Sequence, residues 1–408
     1  MELHPFRALR PPRELVAQVA SPPYDVMNSA EAREYVQGKP NSFLNVVKPE
    51  VNLPEDISIY SDQVYQEAGA QLRRLEEEGA LVRDQGPALW LYRLIMDGRA
   101  QFGMVGCSNV DDYVSGLIKK HEFTRPDKED DRTRHVDETN AHTGPVFLAC
   151  RSTPALRALQ DACSASEPEF DFCAADGIQH TLWRVDDASL LHRAAQAYAG
   201  VDCFYVADGH HRAASAWRVR ELRRERGQGG GPAERFLTVV FPADQLSIMA
   251  YNRYVHDLNG LDTAAFLQKI EECFEVGEPS SETIPKQRHE IAMYLDGQWR
   301  MLRIRSGRVD ESDAVARLDV AILQELLLAP VLGIDDPRTN ERIKFVGGIR
   351  GSAELVRLVD GGGGVAFSMY ATSIEELFSV ADADRVMPPK STWFEPKLAS
   401  GIIVHPLD

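Results

Sequence analysis

Asp208-Gly209-His210-His211-Arg212 places a carboxylate, a glycine, two imidazoles and a guanidinium in consecutive positions. Imidazole and guanidinium N–H groups suit phosphate oxygens, and the carboxylate can hold a proton or a metal such as Mg²⁺. The segment lies between an apolar run, Val201 to Val206, and a stretch of helical character, Ala213 to Arg226. The predicted order is strand, tight turn, helix, with Gly209 at the turn, where the missing Cβ lets a ligand approach the backbone. A helix that starts there points unpaired N–H groups and the positive end of its dipole outward, which makes an anion site. A solvated turn would account for one histidine in such a place. It accounts poorly for this whole string.

Residues 119–143, KKHEFTRPDKEDDRTRHVDETNAHT, are almost free of apolar residues and sit between apolar strands. Such a segment reads as a surface loop or as an active-site loop. It mixes His121, Glu122, Arg132 and His135 with hydroxyls and further carboxylates, so acid/base, metal and phosphate chemistry are all on offer. Ser21-Pro22-Pro23-Tyr24-Asp25 is a rigid turn that can hold Asp25 over a site at little entropic cost, or can simply cap a helix. Pro388-Pro389-Lys390-Ser391-Thr392 repeats that logic with a cation and two hydroxyls.

Zinc hydrolysis is a weak reading. His210 and His211 are adjacent, so on a helix they point about 100° apart and do not readily share one ion. His121-Glu122 and His135 to His142 have no recognised ligand spacing, and there is no H-E-x-x-H. Nor is there a G-x-x-x-x-G-K-[ST] string, and Gly361 to Gly364 lacks a following lysine, which excludes a P-loop kinase.

The elements around these residues alternate. Leu15 to Ala20 reads as a strand, Ser29 to Val36 as a helix and Ser42 to Val47 as extended chain. Val64, Ala68, Leu72 and Leu75 recur at helical spacing up to Gly79. Asp97-Gly98 and Asp296-Gly297 each sit between apolar runs and predict hairpins. Pro145 to Cys150 and Phe236 to Pro242 are strand-like, Leu156 to Cys163 and Asp186 to Tyr198 helical, and Leu398 to Val404 reads as a final strand. Hairpins interspersed with helices, without a regular βαβ series, predict an α+β protein with mixed sheets. The length of 408 residues suggests two or three units, divided near residue 255 into 1–255 and 256–408.

With 44% hydrophobic and 26% charged residues the composition is that of a soluble globular protein. The net charge of −17 disfavours nucleic acid and anionic lipid as partners but leaves a small phosphorylated ligand open. The six cysteines form no C-x-x-C pair and read as small buried hydrophobes of a reducing compartment. No apolar run reaches the length of a membrane span, and the N-terminus has no signal-type apolar stretch, so a cytoplasmic location is expected.

SPPYDV near the start, KHEFT, DDR and T-x-A-H-T-G-P-V-F-L in the middle, ADGHHRAASA, and MPPKSTWFEPKLASGI near the end together resemble a widespread prokaryotic family, domain of unknown function 1015. The resemblance runs in order over essentially the whole chain. The Asp-Gly-His-His-Arg turn is also similar to the phosphate-binding turn of the ParB/sulfiredoxin superfamily, which includes free-serine kinases. This second likeness covers the core around residues 200–225.

The resemblance implies a ParB/sulfiredoxin-like core in the first ~250 residues with a C-terminal α+β unit packed on it. It implies a small-molecule kinase using ATP or ADP with Mg²⁺ on a hydroxyl, free L-serine foremost, since phosphoryl transfer needs positioning and charge neutralisation. Gly209, His210, His211 and Arg212 would hold phosphates, helped by Lys390, Ser391 and Thr392, because the 388–394 turn is expected to return to the site. Asp208 would hold Mg²⁺ or orient the nucleophile, and Asp25 or Glu122 would be the base. Tyr24, Asn45, His121 and Arg132 are assigned to the acceptor. The alternative is a non-catalytic nucleotide-binding switch of ParB type, and a homo-oligomer is compatible with either. Sulfiredoxin-like chemistry would need a reactive cysteine beside the turn, and the nearest, Cys203, lies in the preceding strand.

Overall fold

The computed structural model describes residues 1–408. They form two compact units: Met1–Leu246 with Pro396–Asp408, and Ser247–Glu395. The tail of the chain therefore belongs with its beginning, where sequence reading had kept it in the C-terminal unit. Val404 exchanges backbone hydrogen bonds with Leu9, Ser400 does so with Ser21, and His405–Pro406 pairs with Ala141–His142.

The first unit is built on an eight-stranded mixed sheet. Across it run Ile118–Lys119, Phe204–Asp208, Val146–Cys150, Arg235–Pro242, Arg99–Asn109, Leu89–Met96, Gln179–Val185 and Phe170–Cys173. The Phe204–Asp208 strand runs parallel to Ile118–Lys119, and Val146–Cys150 runs parallel to Arg235–Pro242. The other neighbours are antiparallel. The central strands are buried on both faces, so they read as continuous apolar runs such as Val146–Cys150. The Leu89–Met96 and Arg99–Asn109 hairpin turns at Asp97 and Gly98, both with positive φ, as a two-residue hairpin turn requires.

The second unit is a six-stranded antiparallel sheet. Its order is Phe274–Val276, Gln298–Ile304, Glu290–Leu295, Val365–Met369, Tyr251–Val255 and Ile343–Gly347. The Gly351–Gly362 helix packs its buried Leu355 and Val359 against Tyr254, Ala292 and Ala366 of that sheet. The architecture is thus α+β with a large mixed sheet, as the alternation of hairpins and helices implied.

Four local expectations fail. Val16–Val19 is one turn of helix, not a strand; its two buried valines stand at i and i+3, and β-branching hid that spacing. Leu44–Val47 is likewise helical, with all four residues buried. The stretch 398–404 meets other strands only through the Ser400 and Val404 bridges. The largest difference is at 119–143. Pro126–Thr139 forms a helix whose buried positions are Asp131, Arg132, Thr133, His135, Val136 and Thr139. Positions 131, 135 and 139 form an i, i+4, i+8 stripe, but it is polar, so no apolar periodicity announces the helix. It lies along the His210–Glu225 helix, joined to it by Arg218–Asp130 (2.5 Å) and Arg226–Asp137 (2.9 Å).

Candidate functional site

The strand Phe204–Asp208 ends at Gly209, and the helix His210–Glu225 begins immediately. Gly209 is the N-cap residue with φ +89°, a conformation that glycine adopts without strain. The strand–turn–helix read from the string is therefore present, with the helix starting three residues earlier than periodicity suggested.

Asp208 has both oxygens engaged. Gly209 N–H donates to Oδ1 at 2.8 Å and Lys397 Nζ to Oδ2 at 2.7 Å. Burial alone would raise this carboxyl, but the Lys397 charge and hydrogen bond, with the Gly209 N–H, hold it below the usual carboxylate range. Lys397 was not singled out in the sequence; it stands in the tail, 189 residues away. An ammonium already neutralising Asp208 leaves that carboxylate poorly suited to magnesium.

Arg212 lies between Gly144 and the ring of Tyr24, its guanidinium 5.2 Å from the ring centroid. Arg132 approaches the same ring at 4.2 Å. Arg132 is fixed by Asp131, whose carboxylate accepts from Nε at 2.9 Å and from Tyr65 Oη at 2.8 Å. No carboxylate stands within salt-bridge distance of Arg212. Desolvation pulls the pKa of Arg212 below its ordinary value, against the opposing pull of Tyr24, Asp25 and Asp208. Exposed Asp25 is therefore near enough to act on both Arg212 and Tyr24.

The two histidines of the turn part company. His211 Nε2 accepts the Arg125 N–H at 3.1 Å, which ties the segment before the 126–139 helix to the turn. His210 is buried and packs edge-on against His121, ring centroids 4.6 Å apart. The ligand atoms of His121, Glu122 and His210 all lie within 4.8 Å of one another. The sequence signal for this was the His-Glu dipeptide at 121–122, which no local spacing linked to His210.

Other named residues sit elsewhere. Asn45 is buried, and its amide donates to the carbonyls of Ser42 (2.9 Å), Lys39 (3.3 Å) and Pro40 (3.4 Å), which closes the local turn. Lys390, Ser391 and Thr392 belong to the second unit. There Ser391 Oγ donates to the Pro388 carbonyl at 2.6 Å, Thr372 Oγ1 donates to the Ser391 carbonyl at 3.0 Å, and Lys390 Nζ lies 5.5 Å from the Tyr251 ring. Cys203 precedes the strand that leads to the turn, at its far end. The six cysteines are free thiols, and no helix is long and apolar enough to cross a membrane.

No curated protein matches this chain. Several solved structures share a broad likeness. A free serine kinase in complex with AMP is 14% identical with a TM-score of 0.35, over 71% of this chain and 86% of that one. C-terminally truncated SbnI from Staphylococcus aureus is 13% identical with a TM-score of 0.38, over 74% and 87%. A conserved hypothetical protein from Pyrococcus furiosus is 14% identical with a TM-score of 0.35, over 73% and 94%. The family model described as "Protein of unknown function (DUF1015)" matches residues 3–321, and the chain belongs to that family.

Proposed function

We propose that the first unit binds a nucleotide through its phosphates at the Gly209 turn and transfers a phosphoryl group from ATP or ADP to the hydroxyl of a small metabolite, free L-serine foremost. The observation that carries this reading is Arg212. A half-buried guanidinium, set over the Tyr24 ring and without a carboxylate partner, is a cation placed for an incoming anion. The N-terminus of the 16-residue helix at Gly209 adds N–H groups and dipole to the same place. The ParB/sulfiredoxin-like assignment of this core is part of the proposal and rests on the same turn.

Phosphoryl transfer requires that charge be met where it develops and that the attacking oxygen be deprotonated and aimed. Arg212, with the helix N-terminus, meets the transferring phosphoryl. Asp25, exposed and near Arg212, takes the proton of the acceptor hydroxyl. Lys397 holds Asp208 and so fixes the strand end from which the turn departs. Because Lys397 already compensates Asp208, no step is assigned to magnesium on that carboxylate.

The test is purified full-length protein incubated with ATP or ADP and a panel of amino acids and hydroxy metabolites, with phosphoserine read by mass spectrometry. Formation of a phosphorylated product that Arg212→Ala abolishes supports the proposal. Nucleotide binding without turnover on any acceptor would replace the transferase with a nucleotide-responsive switch, and no nucleotide binding would remove both.

A further inference from the structure

His121 and His210 are 2% and 5% exposed. Nδ1 of His121 and both ring nitrogens of His210 have no hydrogen-bond partner within the protein. Buried polar atoms are almost always paired, so each one left unpaired needs an account. Nδ1 of His121 and one nitrogen of His210 can each offer a lone pair to a single acceptor between the two rings, which meet edge to face; the other His210 nitrogen carries the ring proton.

The remaining nitrogen of His121 bonds to the backbone carbonyl of Val206, and this fixes the tautomer. A ring so oriented presents a bare Nδ1, the pattern in which metal-bound histidines donate their distal N–H to a carbonyl. Glu122 brings a carboxylate beside both rings, with all three ligand atoms within 4.8 Å of one another.

We propose that His121, His210 and Glu122 bind one divalent transition-metal ion of the zinc class. Two imidazoles and one carboxylate suit Zn²⁺ or Co²⁺, whereas Mg²⁺ and Ca²⁺ favour oxygen donors. Metal–ligand bonds of about 2.0–2.2 Å place donors roughly 3.2–3.5 Å apart around a tetrahedral ion, so small side-chain rotations close the site. Three protein ligands leave a position for water or a phosphate oxygen. His211 stands outside the set, because its Nε2 accepts from Arg125. The inference is independent of the nucleotide reading.

The experiment uses the full chain stripped with a chelator and titrated with Co²⁺ and then Zn²⁺ in the absence of nucleotide. Visible Co²⁺ absorption and isothermal calorimetry are the readouts. One equivalent should bind per chain, Zn²⁺ should displace Co²⁺, and a large excess of Mg²⁺ should not compete. Glu122→Gln, a change at an exposed position that keeps the side chain's shape, should weaken Co²⁺ binding at least tenfold, and His121→Ala should abolish it. His211→Ala should leave it unchanged. Absence of stoichiometric binding, or binding indifferent to both Glu122→Gln and His121→Ala, overturns the proposal. Loss of phosphoryl transfer with Co²⁺ binding intact would count against the nucleotide reading alone.

Discussion

Gly144 lies directly against the guanidinium of Arg212, so close that a β-carbon at 144 would stand 2.1 Å from Nη1. The obstacle is the far end of a flexible side chain, so the arginine yields rather than the backbone. Gly144→Ala should therefore displace the guanidinium while leaving the fold intact. Nucleotide affinity should fall by about 1.5–3 kcal/mol, the worth of hydrogen bonds to a charged group, with little change in melting temperature. An unchanged dissociation constant in calorimetry would mean that Arg212 does not meet phosphate.

Arg212→Ala removes the cation itself and should weaken nucleotide by a similar amount. Its loss from the Tyr24 ring should cost only about 0.5–1 kcal/mol of stability. Asp208→Asn keeps the shape but removes the counter-charge of Lys397, so it should spare nucleotide affinity and lower turnover. Melting curves recorded beside nucleotide titrations separate these outcomes. Equal loss of stability in both variants would mark a purely structural pair of residues.

The turn was legible because its chemistry and its local geometry share one continuous stretch of chain: an apolar strand, a glycine and a helix. The hairpins at Asp97-Gly98 and Asp296-Gly297 were legible for the same local reason. The 126–139 helix was not, because its buried stripe is made of Asp131, His135 and Thr139, and the first two find partners far along the chain. Tyr65 donates to Asp131, and His135 Nε2 bonds the Val46 carbonyl at 2.9 Å. Lys397 on Asp208 and His121 on His210 are long-range pairings of the same kind. A single sequence carries periodicity along itself; it does not carry which polar residue meets which across the sheet. Asn45, assigned to the acceptor, is held by local bonds, its amide donating to the carbonyls of its own 39–42 turn.

That difference is measurable. Asn45→Ala removes three donations to the 39–42 turn and leaves buried carbonyls unmet. It should destabilise the protein by about 1–3 kcal/mol, seen as a lower urea midpoint. The Michaelis constant for the acceptor hydroxyl should not change. A raised constant at unaltered stability would restore Asn45 to the acceptor site.

Tyr65→Phe removes one donor to Asp131 and leaves Arg132 in place. The cost should be about 1–2 kcal/mol, because a buried carboxylate loses a partner. Arg132 then holds Asp131 alone, and its place over Tyr24 should persist. Tryptophan and tyrosine near-ultraviolet dichroism should stay native while the melting temperature falls. Loss of nucleotide binding at preserved stability would instead tie Tyr65 to the ligand.

Acid should weaken the first unit through buried histidines outside the Asp208–Arg212 turn. Desolvation lowers the pKa of His135 to about 3, with further lowering from Arg132. It lowers His180 to about 4, and it lowers His405 to about 3, there with help from Arg235. These folded-state values lie below the unfolded value near 6.5, so between the two the unfolded chain binds more protons. Stability is therefore held above pH 6.5 and is lost as pH falls toward 4. At pH 5.5 each ring should cost roughly 1.4 kcal/mol relative to pH 7.5, and the three together about 4 kcal/mol. Urea midpoints at the two pH values give the difference, and histidine ring resonances report each titration directly. A His135 resonance that titrates near pH 6.5 in the folded protein would show that its ring is solvated and that burial does not hold it neutral.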